Sequence, residues 1–220
     1  MRIGIRADGG AQAGLGHLGR CAALAQAFRT LGQRPIFLDV PSGCRPWVRA
    51  LGFPMGRFES GRWDILIADS YRFGKRDWRA LRLQARELVV IDDSGRTPCD
   101  CDWVLNGQPF APELTWKSKR RTSLMLGAKF LPLRREYWRH AGPRRHGGPI
   151  KKLLVTLGGG RSALVKGVVE TSLRELPKAQ VHAVLGPHCA PPRLRDARLT
   201  WHHGLASLRP LIAACDAAVS

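Results

Sequence analysis

Two uninterrupted apolar runs constrain this chain more than any other feature: Ile65-Leu66-Ile67-Ala68, ending in Asp69, and Leu88-Val89-Val90-Ile91, ending in Asp92-Asp93. A strand that alternates apolar and polar residues keeps one face in water, whereas a strand that is apolar throughout has both faces covered, as in a parallel sheet packed between helices. The amino-terminal residues fit the same plan. Arg2 to Arg6 alternate around Ile3 and Ile5, a Gly/Ala-rich stretch follows from Ala7 to Gly16, and Leu18, Cys21, Ala22, Ala25 and Phe28 then fall on one helical stripe. Gly32 suits the position just past a helix end, and Pro35 opens the extended run Ile36-Phe37-Leu38. Strand, helix and parallel strand are the natural product.

The theme repeats. Arg45 to Leu51 reads as a short helix, Lys75 to Ala85 as a longer one, and Trp103-Val104-Leu105 as a short strand before a loop region rich in proline and basic residues. The stretch from His140 to Pro149, HAGPRRHGGP, has linker composition. The expected division is a Rossmann-like domain over residues 1–140 and a second over 150–220. In the second, Lys152 to Leu157 reads as a strand, Gly158-Gly159-Gly160 as a turn, and Val165, Val168, Val169 and Leu173 as a helix stripe. Strands follow at Val181 to Leu185 and Leu199 to His202, then a helix around Leu205 to Ala214, and Asp216 to Ser220 reads as the body of a further strand. The fold class expected is α/β, with two doubly wound halves facing a cleft and the second half cut short at its carboxyl end.

Composition narrows the function classes. With 44% hydrophobic and 24% charged residues, the 220-residue chain is composed to bury a core. No apolar run approaches the roughly 20 residues that cross a bilayer, and Met1-Arg2 leads straight into an alternating segment, so a cytoplasmic protein without a membrane partner is expected. The six cysteines are scattered without a C-x-x-C pair and read as reduced thiols. The net charge of +19 predicts attraction to something anionic, although the basic residues are spread along the chain rather than gathered into an arm.

The residues best placed for chemistry are Gly14-Leu15-Gly16-His17-Leu18-Gly19-Arg20. They set a glycine turn at the carboxyl end of the first strand, the edge where open α/β sheets bind ligands, and a histidine at the start of the next helix. Glycines let a ligand approach the backbone, and the helix terminus offers unpaired N–H groups and a partial positive charge. That field disfavours imidazolium, so His17 is expected to be neutral near pH 7 and able to act as a general base. A capping or packing role is the competing reading. Asp69 and Tyr71 follow a buried strand and should open at the same edge, where a carboxylate can orient a histidine or a water, or bind sugar hydroxyls. Asp92 and Asp93 follow the next strand, and for them turn capping is the preferred reading.

The turn lacks the G-x-G-x-x-G dinucleotide fingerprint and the Lys-Ser/Thr of a Walker A loop, so neither a nicotinamide cofactor nor ATP is expected. Cys99-Asp100-Cys101, His188-Cys189 and His202-His203 fit no usual zinc spacing, and no metal is expected. No G-x-S-x-G elbow suggests an acyl-enzyme.

The ordered motifs resemble a known family, the UDP-2,4-diacetamido-2,4,6-trideoxy-β-L-altropyranose hydrolases of pseudaminic acid biosynthesis, with the related spore-coat polysaccharide proteins. They are Arg6-Ala7-Asp8, Gly14 to Arg20, Asp69-Ser70-Tyr71, Val90 to Asp93, Leu105-Asn106, Gly127 to Tyr137 and Val155 to Gly159. The resemblance implies a B-type glycosyltransferase fold and metal-independent, cofactor-free hydrolysis of a UDP-sugar at its anomeric carbon. In that picture His17 matches the general base, Asp69 and Tyr71 lie near the sugar and the attacking water, and Arg6, Asp8, Gly14, Gly16, Arg20, Asn106, Gly158 and Gly159 bind substrate. A monomer is expected. The chain departs from the family's Gly-Gly-x-Asp-x-x-Asn, since Gly158 to Leu164 carries neither polar residue. The alternatives are a glycosyltransferase of the same fold, an inactive truncated member, and a basic nucleic-acid-binding protein for which no binding motif is present.

Overall fold

The structure, a computed structural model, describes residues 1–10, 13–59, 61–95, 100–116, 122–138, 147–158, 164–186, 189–205 and 207–220. Gly159, the rest of the second glycine turn through 163, most of the linker at 139–146, Cys99 and His188 lie outside the described residues. The chain divides into two compact units, Met1–Gly9 with His17–Arg135, and Gly10–Gly16 with Glu136–Ser220.

The first unit runs through β1 (Ile3–Ala7), α1 (Gly16–Thr30), β2 (Ile36–Leu38), α2 (Arg45–Ala50), β3 (Met55–Gly56), β4 (Trp63–Asp69), α3 (Lys75–Gln84), β5 (Ala85–Ile91), β6 (Trp103–Asn106) and β7 (Ser123–Leu126). Its seven strands lie in the order β3-β2-β1-β4-β5-β6-β7, and every neighbouring pair is parallel. The two apolar runs are β4 and β5 near the middle of this sheet, which is why both of their faces are apolar. On one face Trp78 and Leu81 of α3 close over Leu66, Ala68, Leu88 and Val90. Helix α3 starts where Asp77 reaches back, its Oδ2 accepting the Gly74 N–H at 3.0 Å. Helix α1 buries Leu18, Cys21, Ala22, Ala23 and Ala25, a stripe of mostly small residues that lets a helix lie close. Gly9 shows how close: a Cβ there would stand 2.6 Å from Leu18 Cδ1 and 3.1 Å from Cys44 Sγ.

Two strands were not predicted from the sequence, β3 and β7. Both are edge strands, and an edge strand needs no apolar run on both faces: Ser123 and Leu124 of β7 are exposed. β3 is only two residues long.

The second unit contains β8 (Lys152–Thr156), α4 (Val165–Glu175), β9 (Gln180–Leu185), β10 (Leu199–His203), α5 (Arg209–Ala214) and β11 (Ala217–Val219), with parallel strands in the order β10-β9-β8-β11. Val165, Val169 and Leu173 of α4 pack on Leu153, Val155, Val181 and Ala183, and Leu154, Val184 and Cys215 form a smaller cluster. The helix expected from Leu205 begins instead at Arg209, because Pro210 in its first turn favours a start there. No helix among the described residues is long and apolar enough to cross a membrane.

Candidate active site

In the seven-stranded sheet the chain leaves β1 through α1 toward β2, on one side, and leaves β4 through α3 toward β5, on the other. The connections diverge at the carboxyl ends of the adjacent strands β1 and β4, the topological switch point where open α/β sheets take their ligands. His17, in the first turn of α1, and Asp69, the last residue of β4, meet there. The two strand ends are tied by Asp8 N–H donating to the Asp69 carbonyl at 2.9 Å.

Asp69 is completely buried. Its Oδ1 lies 2.6 Å from His17 Nδ1 and 2.6 Å from Arg20 Nη2, and its Oδ2 accepts Arg20 Nε–H at 2.5 Å. Burial raises this carboxyl's pKa, but hydrogen bonds from Arg20 and His17 and their charges outweigh it and hold Asp69 below the usual carboxylate range. An ionised carboxylate only accepts, so Nδ1 of His17 carries the proton. Arg20 Nη2, 3.4 Å from Nδ1, is then a second donor facing a donor, and the contact between them is not a hydrogen bond. In a neutral ring this arrangement leaves the lone pair on Nε2, which makes no hydrogen bond among the described residues.

Arg20 bridges to a second carboxylate: its Nη1 donates to both oxygens of Asp93 at 2.8 and 2.7 Å. Burial pulls the guanidinium pKa down, and Asp69 and Asp93 more than restore it, so Arg20 is held charged between two acids. Tyr71 donates its hydroxyl hydrogen to Asp93 Oδ2 and sets its ring edge-on to His17, centroids 4.6 Å apart and planes at 81°. Burial and the Asp93 hydrogen bond push the Tyr71 phenol up to about 12. The neighbouring Cys21 thiol, with Sγ 3.9 Å from Asp69 Oδ2, is pushed well above its usual pKa by burial and by that carboxylate, which keeps it a thiol.

The other residues singled out in the sequence are placed as follows. Asp8 is buried and accepts the Tyr71 backbone N–H at 3.0 Å and Arg72 at 3.2 and 3.3 Å, which sets the loop that carries Tyr71. Gly14, at φ +66°, pairs its backbone with Gly10. Gly16 opens α1, and a Cβ on it would meet nothing within 4 Å. Arg6 is held elsewhere, by Asp39 at 3.3 Å and Asp77 at 3.7 Å, with its guanidinium over Phe58 and Phe73. Asn106 ends β6, fully buried; its Oδ1 accepts the Gln108 N–H at 2.9 Å, and its Nδ2 has no partner among the described residues. Gly158 follows β8 in the second unit, exposed and at φ +86°.

The tandem acids divide. Asp92 does cap its turn, Oδ1 accepting the N–H groups of Ser94 and Gly95 and the Ser94 hydroxyl. Asp93 does not follow the preferred reading, because its carboxylate faces Arg20 and Tyr71 instead. Successive residues at a strand end point to opposite sides, so one of two tandem acids was bound to turn from its neighbour's environment. Arg20, three residues after His17 on α1, shares its helix face, which brings guanidinium and imidazole to one carboxylate.

No protein-family profile and no curated protein matches the chain. Its structure is similar to that of the glycosyltransferase SnogD from Streptomyces nogalater, at 14% identity and a TM-score of 0.55, over 98% of this chain and 75% of that one. It is also similar to the glycotransferase of kitacinnamycin, at 15% identity and a TM-score of 0.52, over 92% of this chain and 71% of the other. At such identities the likeness defines the fold: α/β with parallel sheets, as in these glycosyltransferase structures.

Proposed function

We propose that the chain is a hydrolase of a UDP-activated diacetamido-trideoxy sugar, with His17 as general base. The carrying observation is the His17–Asp69 pair at the β1/β4 switch point, which leaves Nε2 as the acceptor. A water placed by the site gives a proton to Nε2 while its oxygen attacks the anomeric carbon, and the bond from that carbon to the diphosphate oxygen breaks with release of UDP. Asp69 fixes the ring and stabilises the positive charge the imidazole gains, the part a buried carboxylate plays behind a catalytic histidine. UDP leaves as a stable anion, so no dedicated acid is required. The substrate identity rests on the ordered motif resemblance from Arg6-Ala7-Asp8 to Val155 to Gly159.

The test is UDP release from the sugar nucleotide in plain water. His17→Ala should lower the rate by about 10²–10⁴, the usual contribution of a general base; unchanged turnover rejects the role. A second reading, favoured by the likeness to two glycosyltransferase structures, is transfer to a sugar or other hydroxyl acceptor by the same base. It requires UDP release that depends on an added acceptor.

A further inference from the structure

We propose that Asp93 is a positioning residue of this site: by holding Arg20 and Tyr71 at once, it sets the geometry of the His17–Asp69 pair from outside it. Its importance for turnover rests on the hydrolase reading, whereas its effect on the imidazole does not.

The first argument is what Asp93 leaves undone. Its neighbour Asp92 engages three local donors at Ser94 and Gly95, the ordinary use of an aspartate after a strand. Asp93 has no such bond among the described residues. Its partners there are Arg20 Nη1, through both oxygens, and the Tyr71 hydroxyl. Every hydrogen bond this carboxylate accepts among the described residues therefore comes from two side chains that each touch the His17–Asp69 pair.

The second argument is the rigidity of the guanidinium. Its five N–H donors lie in one plane, so fixing Nη1 on Asp93 fixes the direction of the fork that Nε and Nη2 present to Asp69. Asp69 Oδ1 is shared between that fork and His17 Nδ1, both at 2.6 Å. A rotation of Arg20 changes where the carboxylate directs its lone pairs, and so which tautomer of His17 is held. Without Asp93 the guanidinium has one anchor instead of two.

The third argument concerns access to Nε2. His17 is only 7% exposed, while Tyr71, whose ring stands edge-on to the imidazole, is 67% exposed. Partial burial alone does not hold so exposed a ring beside its neighbour; Tyr71 is tethered by its hydroxyl to Asp93 and by its backbone N–H to Asp8. Removing the hydroxyl tether frees the ring and uncovers the imidazole.

Two measurements without substrate test the proposal. In wild-type protein, long-range ¹H–¹⁵N spectra of the His17 ring, assigned with a His17→Gln variant, should show the Nδ1-protonated form. Asp93→Asn is isosteric at a partly exposed position and removes the charge that clamps Arg20; it should convert this signal into a mixture of tautomers. Tyr71→Phe alters an exposed residue, and it should accelerate modification of His17 by diethyl pyrocarbonate severalfold, read by mass spectrometry of the His17 peptide. Asp93→Asn protein with the wild-type His17 spectrum overturns the proposal, and so does Tyr71→Phe protein modified at the wild-type rate. Where UDP-sugar hydrolysis is present, Asp93→Asn should lower kcat about 10²-fold with KM little changed, the cost of a small misplacement of a catalytic group. If no hydrolysis is found, the spectra and modification rates still decide the role of Asp93, so its failure and that of the hydrolase reading remain distinct.

Discussion

His17 Nδ1 and Asp69 Oδ1 lie 2.6 Å apart although 52 residues separate them in the chain. The pair therefore exists only when α1 and β4 are both in place on the sheet, and it joins stability to chemistry. Asp69→Asn keeps the shape but offers fewer acceptor positions, leaving Arg20 with a neutral partner and His17 free to change tautomer. Truncation to Ala goes further and leaves the partly buried guanidinium short of one of its two counter-charges. Breaking a buried pair by removing one member typically costs about 3–5 kcal/mol. Urea unfolding should show Asp69→Ala in that range, with the Asn variant milder; a loss within experimental error would mean that Arg20 does not depend on Asp69.

The acid limb of stability follows from the same carboxylate. Burial opposes its ionisation, but Arg20 and His17 hold its folded pKa below the usual value. A carboxyl depressed in the folded state contributes stability that is present above its unfolded pKa, near 3.9, and that is lost as pH falls through the lower folded value. Wild-type protein should thus lose stability below about pH 4. Comparison of pH-dependent urea midpoints should show a shallower loss in Asp69→Asn, and parallel curves would remove Asp69 from the account.

Tyr71 acts at the opposite end of the scale. Burial and Asp93 raise its phenol to about 12, so the folded state keeps its proton where an unfolded chain has released it. That contribution is complete below the unfolded value near 10 and disappears as pH rises toward 12. The chain has two tyrosines, so phenolate absorbance in a Tyr137→Phe background reports Tyr71 alone. The midpoint should fall toward 10 in Asp93→Asn. An unchanged midpoint would place the cause elsewhere than in the Tyr71–Asp93 bond.

Much of this arrangement was legible in the residues, for identifiable reasons. The runs ending at Asp69 and Ile91 announced central parallel strands because burial on both faces leaves no polar alternation. That Asp69 and His17 would meet was readable because a strand end and a helix start at the same sheet edge converge. The edge strand β7 was hidden, since pairing on one side with exposed Ser123 and Leu124 imprints no pattern. Arg20 illustrates the limit of motif reading: the resemblance implies that it binds substrate, and nothing in the local sequence shows that its donors face Asp69 and Asp93. Whether an arginine is available to a ligand depends on which acids fold against it, and Asp93 is 73 residues away.

The glycines before and within α1 separate two kinds of requirement that look alike in sequence. Gly9 is required by packing: a methyl group there collides with Leu18 and Cys44, so Gly9→Ala should destabilise the protein by about 1–3 kcal/mol, as overpacking does. Gly16 and Gly19 face open space, where a Cβ would meet nothing within 4 Å, so packing does not require them. On helix propensity alone, Gly19→Ala should stabilise α1 by up to about 1 kcal/mol. If the turn is where a sugar nucleotide approaches the backbone, as its glycines lead one to expect, added methyl groups there will weaken binding while leaving unfolding midpoints equal or higher. Calorimetric titration with UDP and urea unfolding of Gly16→Ala and Gly19→Ala separate these effects. Undiminished UDP binding in both variants would show that the ligand lies away from the α1 terminus, and would remove the glycine turn from the site while leaving its place in the fold unchanged.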